Sequence, residues 1–163
     1  MVPFVFLAVV FAGLSLLPLA RIDPPLLRSA RARLRVALAA MFVLTGATHF
    51  TATESMLQMV PESLPLRREA VYVSGVAELA GAAGLLIPRL SRAAGLGLAA
   101  MLVAVFPANI NVAVNQLQID LVSTDPVMQG VRLLVQPGLI WLVVWATGRE
   151  RRSPAVQAAV ARA

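Results

Sequence analysis

The feature that most restricts this chain is a series of five long stretches almost without charge: Val2 to Ala20, about Val36 to Thr53, about Ala70 to Pro88, about Ala93 to Leu117 and about Val131 to Thr147. Crossing the ~30 Å of bilayer hydrocarbon takes about 20 mainly apolar residues in helical form. Within these stretches only Glu78, Arg132 and, when protonated, His49 carry charge. Apolar residues make up 59% of the chain and charged residues 13%, and the mean hydropathy is +0.81. A soluble domain averages about 45–50% apolar and about 25% charged residues, so a water-soluble globule of this size would leave much apolar surface uncovered. Disorder is excluded because disordered chains are poor in apolar residues. The expected fold is an all-α integral membrane bundle with five spans.

The chain has no cysteine, which excludes disulfides, CxxC redox chemistry, thiolate metal sites and cysteine nucleophiles. A single histidine, His49, excludes a multi-histidine metal site or a bis-histidine haem site within one chain. No metal site is expected. All 14 basic residues are arginine, and the net charge is +6. In a membrane chain, Arg marks the cytoplasmic loops, so the charge reads as topology rather than as nucleic-acid binding. Arg21, Arg28, Arg31, Arg33 and Arg35 lie in the first connection, Arg89 and Arg92 between the third and fourth spans, and Arg149, Arg151, Arg152 and Arg162 in the tail. The other side holds Arg67 and Arg68 among Glu54, Glu62 and Glu69, then Asp120 and Asp125 before Arg132. This asymmetry predicts an outside N-terminus and a cytoplasmic C-terminus. The first stretch lacks a basic n-region and a clear A-x-A site, so it reads as a retained helix and not a signal peptide. The expected organisation is an N-terminal helix in 1–20, an Arg-rich connection in 21–35, a bundle in 36–148 and a basic tail in 149–163. In the outer loop, Pro61 and Pro65 prevent one continuous helix.

Lipid tails give helices no hydrophobic reason to associate, so close approach through small residues takes over. The pairs Ala77/Gly81 and Ala80/Gly84 in the third stretch, and Gly95/Ala99, Ala100/Ala104 and Ala104/Ala108 in the fourth, have that spacing. These two spans are expected at the centre. Pro107 and Pro137 interrupt the fourth and fifth spans and free carbonyls near Val103 and Leu133. Trp141 and Trp145, one turn apart near the inner end, read as an interfacial belt.

The polar residues within the spans are His49, Glu78, Asn109, Asn111, Asn115, Arg132 and Gln136. Counting inward at 1.5 Å per residue puts them in the outer half of the bilayer, with Glu78 roughly 10 Å deep. Residues four apart share a helix face, which pairs Thr45 with His49, Ser74 with Glu78, and Arg132 with Gln136. An unpaired mid-membrane charge costs at least about 2.5–3.5 kcal/mol. Glu78 is therefore expected to be protonated, or to meet Arg132 or His49, with Gln136 and Asn109 completing the network. Asn111 and Asn115 are expected to be interhelical glue.

Several short motifs occur in order: Thr45-Gly46-Ala47-Thr48-His49-Phe50, Met59-Val60-Pro61 with Leu64-Pro65, Ser74-Gly75-Val76-Ala77-Glu78-Leu79, Gly84-Leu85-Leu86-Ile87-Pro88, Phe106-Pro107-Ala108-Asn109, and Arg132 with Gln136. Between about Val36 and Gly148 the chain resembles the DoxX-like family of small bacterial membrane proteins. The resemblance implies a four-helix membrane core, to which the first stretch is an addition, and a location in the bacterial cell membrane. It implies polar site residues His49, Glu78, Asn109, Arg132 and Gln136. The family usually has a proline between the Arg and the Gln, whereas here the order is Arg132-Leu133-Leu134-Val135-Gln136-Pro137. Members are associated with a terminal quinol oxidase, thiosulfate oxidation or oxidative-stress complexes.

The expected function is an accessory or small-molecule-binding component of a membrane redox system, holding a quinone headgroup or a lipid in an outer polar pocket. The expected partners are the bilayer, membrane redox subunits or further copies of the chain. The alternatives are a non-catalytic assembly or chaperone-like factor that docks other membrane helices, and a small transporter, for which the apolar inner half offers no continuous polar route. No nucleophile–base pair, metal cluster or phosphate loop is evident, so no catalytic residue and no autonomous enzyme activity are expected.

Overall fold

The computed structural model describes residues 2–17, 27, 29–119 and 125–148. Among them the chain forms six helices and no strand: α1 (Val2–Leu16), α2 (Ala30–Thr51), α3 (Thr53–Met59), α4 (Arg67–Leu86), α5 (Ser91–Val114) and α6 (Pro126–Thr147). Four of them, α2, α4, α5 and α6, are long and apolar enough to cross a membrane. The protein is thus an all-helical bundle compatible with a multi-pass membrane location. At 1.5 Å per residue α1 covers roughly 22 Å, short of the hydrocarbon thickness. The rest of the stretch expected to form that span, 18–20, lies outside the described residues, as do the 149–163 tail and all of the 21–35 connection except Leu27 and residues from Ser29 on.

Local chemistry sets the helix ends. The Ser29 hydroxyl caps α2 by accepting from the Ala32 N–H at 3.1 Å. The Asp125 carboxylate caps α6 from the Val127 N–H at 2.8 Å, with Pro126 in the first helical position. Ile87 and Val60 are extended because each precedes a proline, and so α4 and α3 stop there. The start of α2 differs from the hydropathy reading. Arg31, Arg33 and Arg35 belong to its first turns, not to a loop. Arg31 Nη1 donates to the Gly148 carbonyl at 3.1 Å and Arg35 Nη1 to that of Ala146 at 3.2 Å. Two cations thus satisfy the electronegative C-terminus of α6, which is where a helix dipole favours them.

Helices α2, α4, α5 and α6 close into a ring, in which α2 packs on α4 and α6, and α5 on α4 and α6; α1 packs on α2 from outside. The expected central pair is corrected here. The most buried spans are α2 and α4, not α4 and α5. Small-residue spacing along one helix marks a close approach but does not say which neighbour makes it. The approaches run around the ring. A Cβ on Gly75 would stand 2.6 Å from His49 Cβ, one on Gly84 2.7 Å from Ala94 Cβ, and one on Gly95 would collide with Thr147 Oγ1. The sealed apolar core, with Leu38, Phe42, Leu85, Leu98 and Val143 at its centre, fills the half of the bundle nearer the N-terminus of α2.

The other end carries α3. Its terminal carbonyls are held by Arg67 Nη2, which donates to Leu57 O at 2.6 Å and Val60 O at 2.8 Å, and by Asn111 Nδ2, which donates to Met59 O at 3.0 Å. Asn111 therefore ties α3 to α5, and Asn115 Nδ2 in turn donates to Asn111 Oδ1 at 2.7 Å.

The α2–α4 crossing predicts a sharp contrast between glycines. Gly75→Ala forces its new methyl against the rigid stem of His49 and should cost about 1–3 kcal/mol. Gly97→Ala meets nothing within 4 Å and should be neutral or stabilise by about 0.5–1 kcal/mol. Thermal unfolding in detergent checks both, and equal effects would contradict the packing.

Candidate functional site

The polar groups gather in the half of the bundle that carries α3, as two clusters. The first lies between α2 and α4. Glu78 sits halfway along α4, roughly 16 Å from Arg67 at 1.5 Å per residue. Helix α4 begins three residues before the apolar stretch. The Glu78 side chain is 10% exposed and that of His49 is 12% exposed. Thr45 Oγ1 meets Glu78 Oε2 at 2.5 Å, and His49 Nε2 lies 3.6 Å from Glu78 Oε1. On the far side of the ring, His49 Nδ1 lies 2.9 Å from the Val71 carbonyl and 3.1 Å from Ser74 Oγ, which itself donates to Val71 O at 2.9 Å.

A carbonyl oxygen only accepts, so the Val71 contact favours the tautomer in which Nδ1 carries a hydrogen and donates it to Val71 O. Nε2 then lies 3.6 Å from Glu78 Oε1, too long for a hydrogen bond and within ion-pair reach when the imidazole is protonated. Glycines make this possible: a Cβ on Gly46 would lie 3.2 Å from Glu78 Cβ, and Gly75 admits the stem of His49.

The second cluster lies between α5 and α6. Arg132 Nη2 donates to Asn109 Oδ1 at 3.0 Å, Asn109 Nδ2 to Gln136 Oε1 at 2.7 Å, and Gln136 Nε2 to the Leu102 carbonyl at 2.7 Å. Pro107 sits inside α5 and cannot donate to the Val103 carbonyl one turn earlier. The buried Gln136 amide donates to the neighbouring Leu102 carbonyl, not to that of Val103, which the proline frees. Pro137 follows Gln136 within α6 and leaves Arg132 and Gln136 both turned toward Asn109.

All five expected site residues are thus engaged, but in two groups. Glu78 meets His49. Arg132 turns to Asn109, and among the described residues no ion pair joins it to Glu78. Thr45 and Ser74 belong to the site and were legible only as face-mates of His49 and Glu78. The Val71 and Leu102 carbonyls had no sequence signal beyond the proline near Leu102. Among the described residues no group of three or more His, Asp or Glu is placed to hold a metal ion.

Double-mutant cycles test this division. Glu78→Gln and His49→Gln should be coupled by about 0.5–3 kcal/mol in unfolding, while Glu78→Gln and Arg132→Gln should add within about 0.5 kcal/mol. The reverse pattern would dismantle the two-cluster arrangement.

No curated protein and no solved structure matches the chain. Residues 38–148 match the family described as Domain of unknown function (DUF8561). That segment contains the ring of four long helices from early in α2 to the end of α6, and both polar clusters. The chain belongs to this DUF8561 family.

Proposed function

We propose that this protein is a DoxX-like accessory component of a bacterial membrane redox system that binds the polar head of a small amphiphile, a quinone or a lipid, at the α3 end of its bundle. The observation that carries this reading is the enclosed His49–Glu78 pair, with Nε2 3.6 Å from Oε1 and both side chains almost buried. Quinone reduction consumes protons and quinol oxidation releases them, so a carboxyl–imidazole pair one step from a bound headgroup suits that chemistry. The Arg132 guanidinium, held by Asn109, supplies a donor for a quinone oxygen or a lipid phosphate. Motif order from Thr45 to Gln136 favours the DoxX-like reading.

The same reading places the protein in the plasma membrane with five spans, α1 included, the N-terminus outside and the C-terminus in the cytoplasm. The Arg excess at the α1–α2, α4–α5 and C-terminal segments supports it. The chain is free of cysteine, so a single Ser63→Cys variant gives a clean test. A membrane-impermeant maleimide should label it in intact cells. Labelling only after lysis would invert the topology.

A second reading, an assembly factor that docks other membrane helices, is favoured by one face of α5. Ala93, Gly97, Ala100 and Ala104 are exposed there at small-residue spacing. Mass spectrometry of lipid extracts from the purified protein separates the two. The first reading expects a stoichiometric quinone or lipid that falls at least about tenfold in Glu78→Gln, the loss of one charge-assisted contact. Partner subunits co-purifying with no such molecule would favour the second and overturn the first.

A further inference from the structure

A groove of about 360 Å³ lies between α1 and α6, lined by Phe4, Leu7, Val135, Gly138, Trp141 and Leu142. Its volume is that of a small-molecule site, and its lining is apolar. It is separate from both polar clusters. Val135, Gly138, Leu142 and Trp145 recur at helical spacing, so Trp145 lies on the same face of α6 one turn beyond the groove. Trp141 and Trp145 stack with centroids 6.2 Å apart, and the Arg31 guanidinium lies 5.0 Å from the Trp145 ring centroid. An apolar channel thus leads to an aromatic pair and then to a cation at the membrane edge.

We infer that this groove seats an acyl chain of an anionic phospholipid whose phosphate lies at the Arg end of α2 and α6. Charge complementarity selects the headgroup. The segment 21–35 carries five arginines against one acid, Asp23, and Arg31 and Arg35 are both brought to the C-terminus of α6. Basic pockets between membrane helices on that type of face take anionic headgroups, and each Arg near the surface strengthens attraction to anionic lipid. The groove supplies what a headgroup contact alone lacks, a fixed path for the tail. The space beside Gly138 is open, since a Cβ built there meets nothing within 4 Å, so a large side chain at this position would occupy the groove.

The chain's two tryptophans are both on this face, so intrinsic fluorescence reports on the groove in the unmodified protein. The full chain is reconstituted in phosphatidylcholine vesicles containing, at equal mole fraction, phosphatidylglycerol or phosphatidylcholine with brominated acyl chains. Brominated phosphatidylglycerol should quench more strongly. Arg31→Gln should reduce that preference about fivefold, the loss expected for one Arg. Gly138→Leu, which fills the open channel, should abolish it. Equal quenching by the two lipids in the unmodified protein would overturn the inference, whichever variants fold. So would a preference unchanged in a folded Gly138→Leu protein. Either result leaves the polar clusters at the α3 end untouched.

Discussion

A carboxyl group buried in an apolar helical bundle needs partners, and most of this structure follows from how Glu78 finds them. Leaving a buried charge without a partner costs several kcal/mol. Thr45 and His49 approach Glu78 from α2, and the His49 ring is fixed from behind by the Val71 carbonyl and Ser74. All of these groups lie on α2 and α4, so those helices must cross closely. Gly46 and Gly75 allow that approach. The polar pair and the glycine crossing are therefore one arrangement: the glycines bring the backbones near, and the Thr45, His49 and Glu78 side chains occupy the gap that results.

The rest of the bundle divides along its length. One half is an apolar core around Phe42, Leu85 and Val143, closed at its edge by Arg31 and Arg35 on the carbonyl end of α6. The other half holds two polar clusters and is closed by α3, whose carbonyls are taken by Arg67 and Asn111. Arginine is used in both halves to satisfy backbone carbonyls that hydrocarbon would otherwise strand. In the α5–α6 cluster a side-chain amide does the same, with Gln136 donating to the Leu102 carbonyl close to Pro107.

The long helices were legible because apolar length is a one-dimensional property. Their starts were less so. Counting apolar residues stops at Arg35, yet α2 runs back to Ala30 because those arginines reach α6, a contact that no local pattern announces. Face-sharing at four-residue spacing correctly grouped Thr45 with His49 and Ser74 with Glu78. The choice between His49 and Arg132 as partner for Glu78 depends on which helix α6 turns its polar face toward, and Arg132 and Gln136 both meet Asn109 on α5. The centrality of α2 was hidden for a similar reason. Its single glycine, Gly46, draws no attention in sequence, whereas the many small residues of α5 are partly spent on an exposed face.

His49 is the chain's single histidine, so ¹⁵N-histidine labelling gives NMR signals from this site alone. The account predicts a ring protonated at Nδ1, with an Nε2 resonance that shifts markedly in Glu78→Gln while the Nδ1–H signal persists. A ring protonated only at Nε2, or an Nε2 signal indifferent to Glu78→Gln, would contradict the His49–Glu78 pairing on which the account rests.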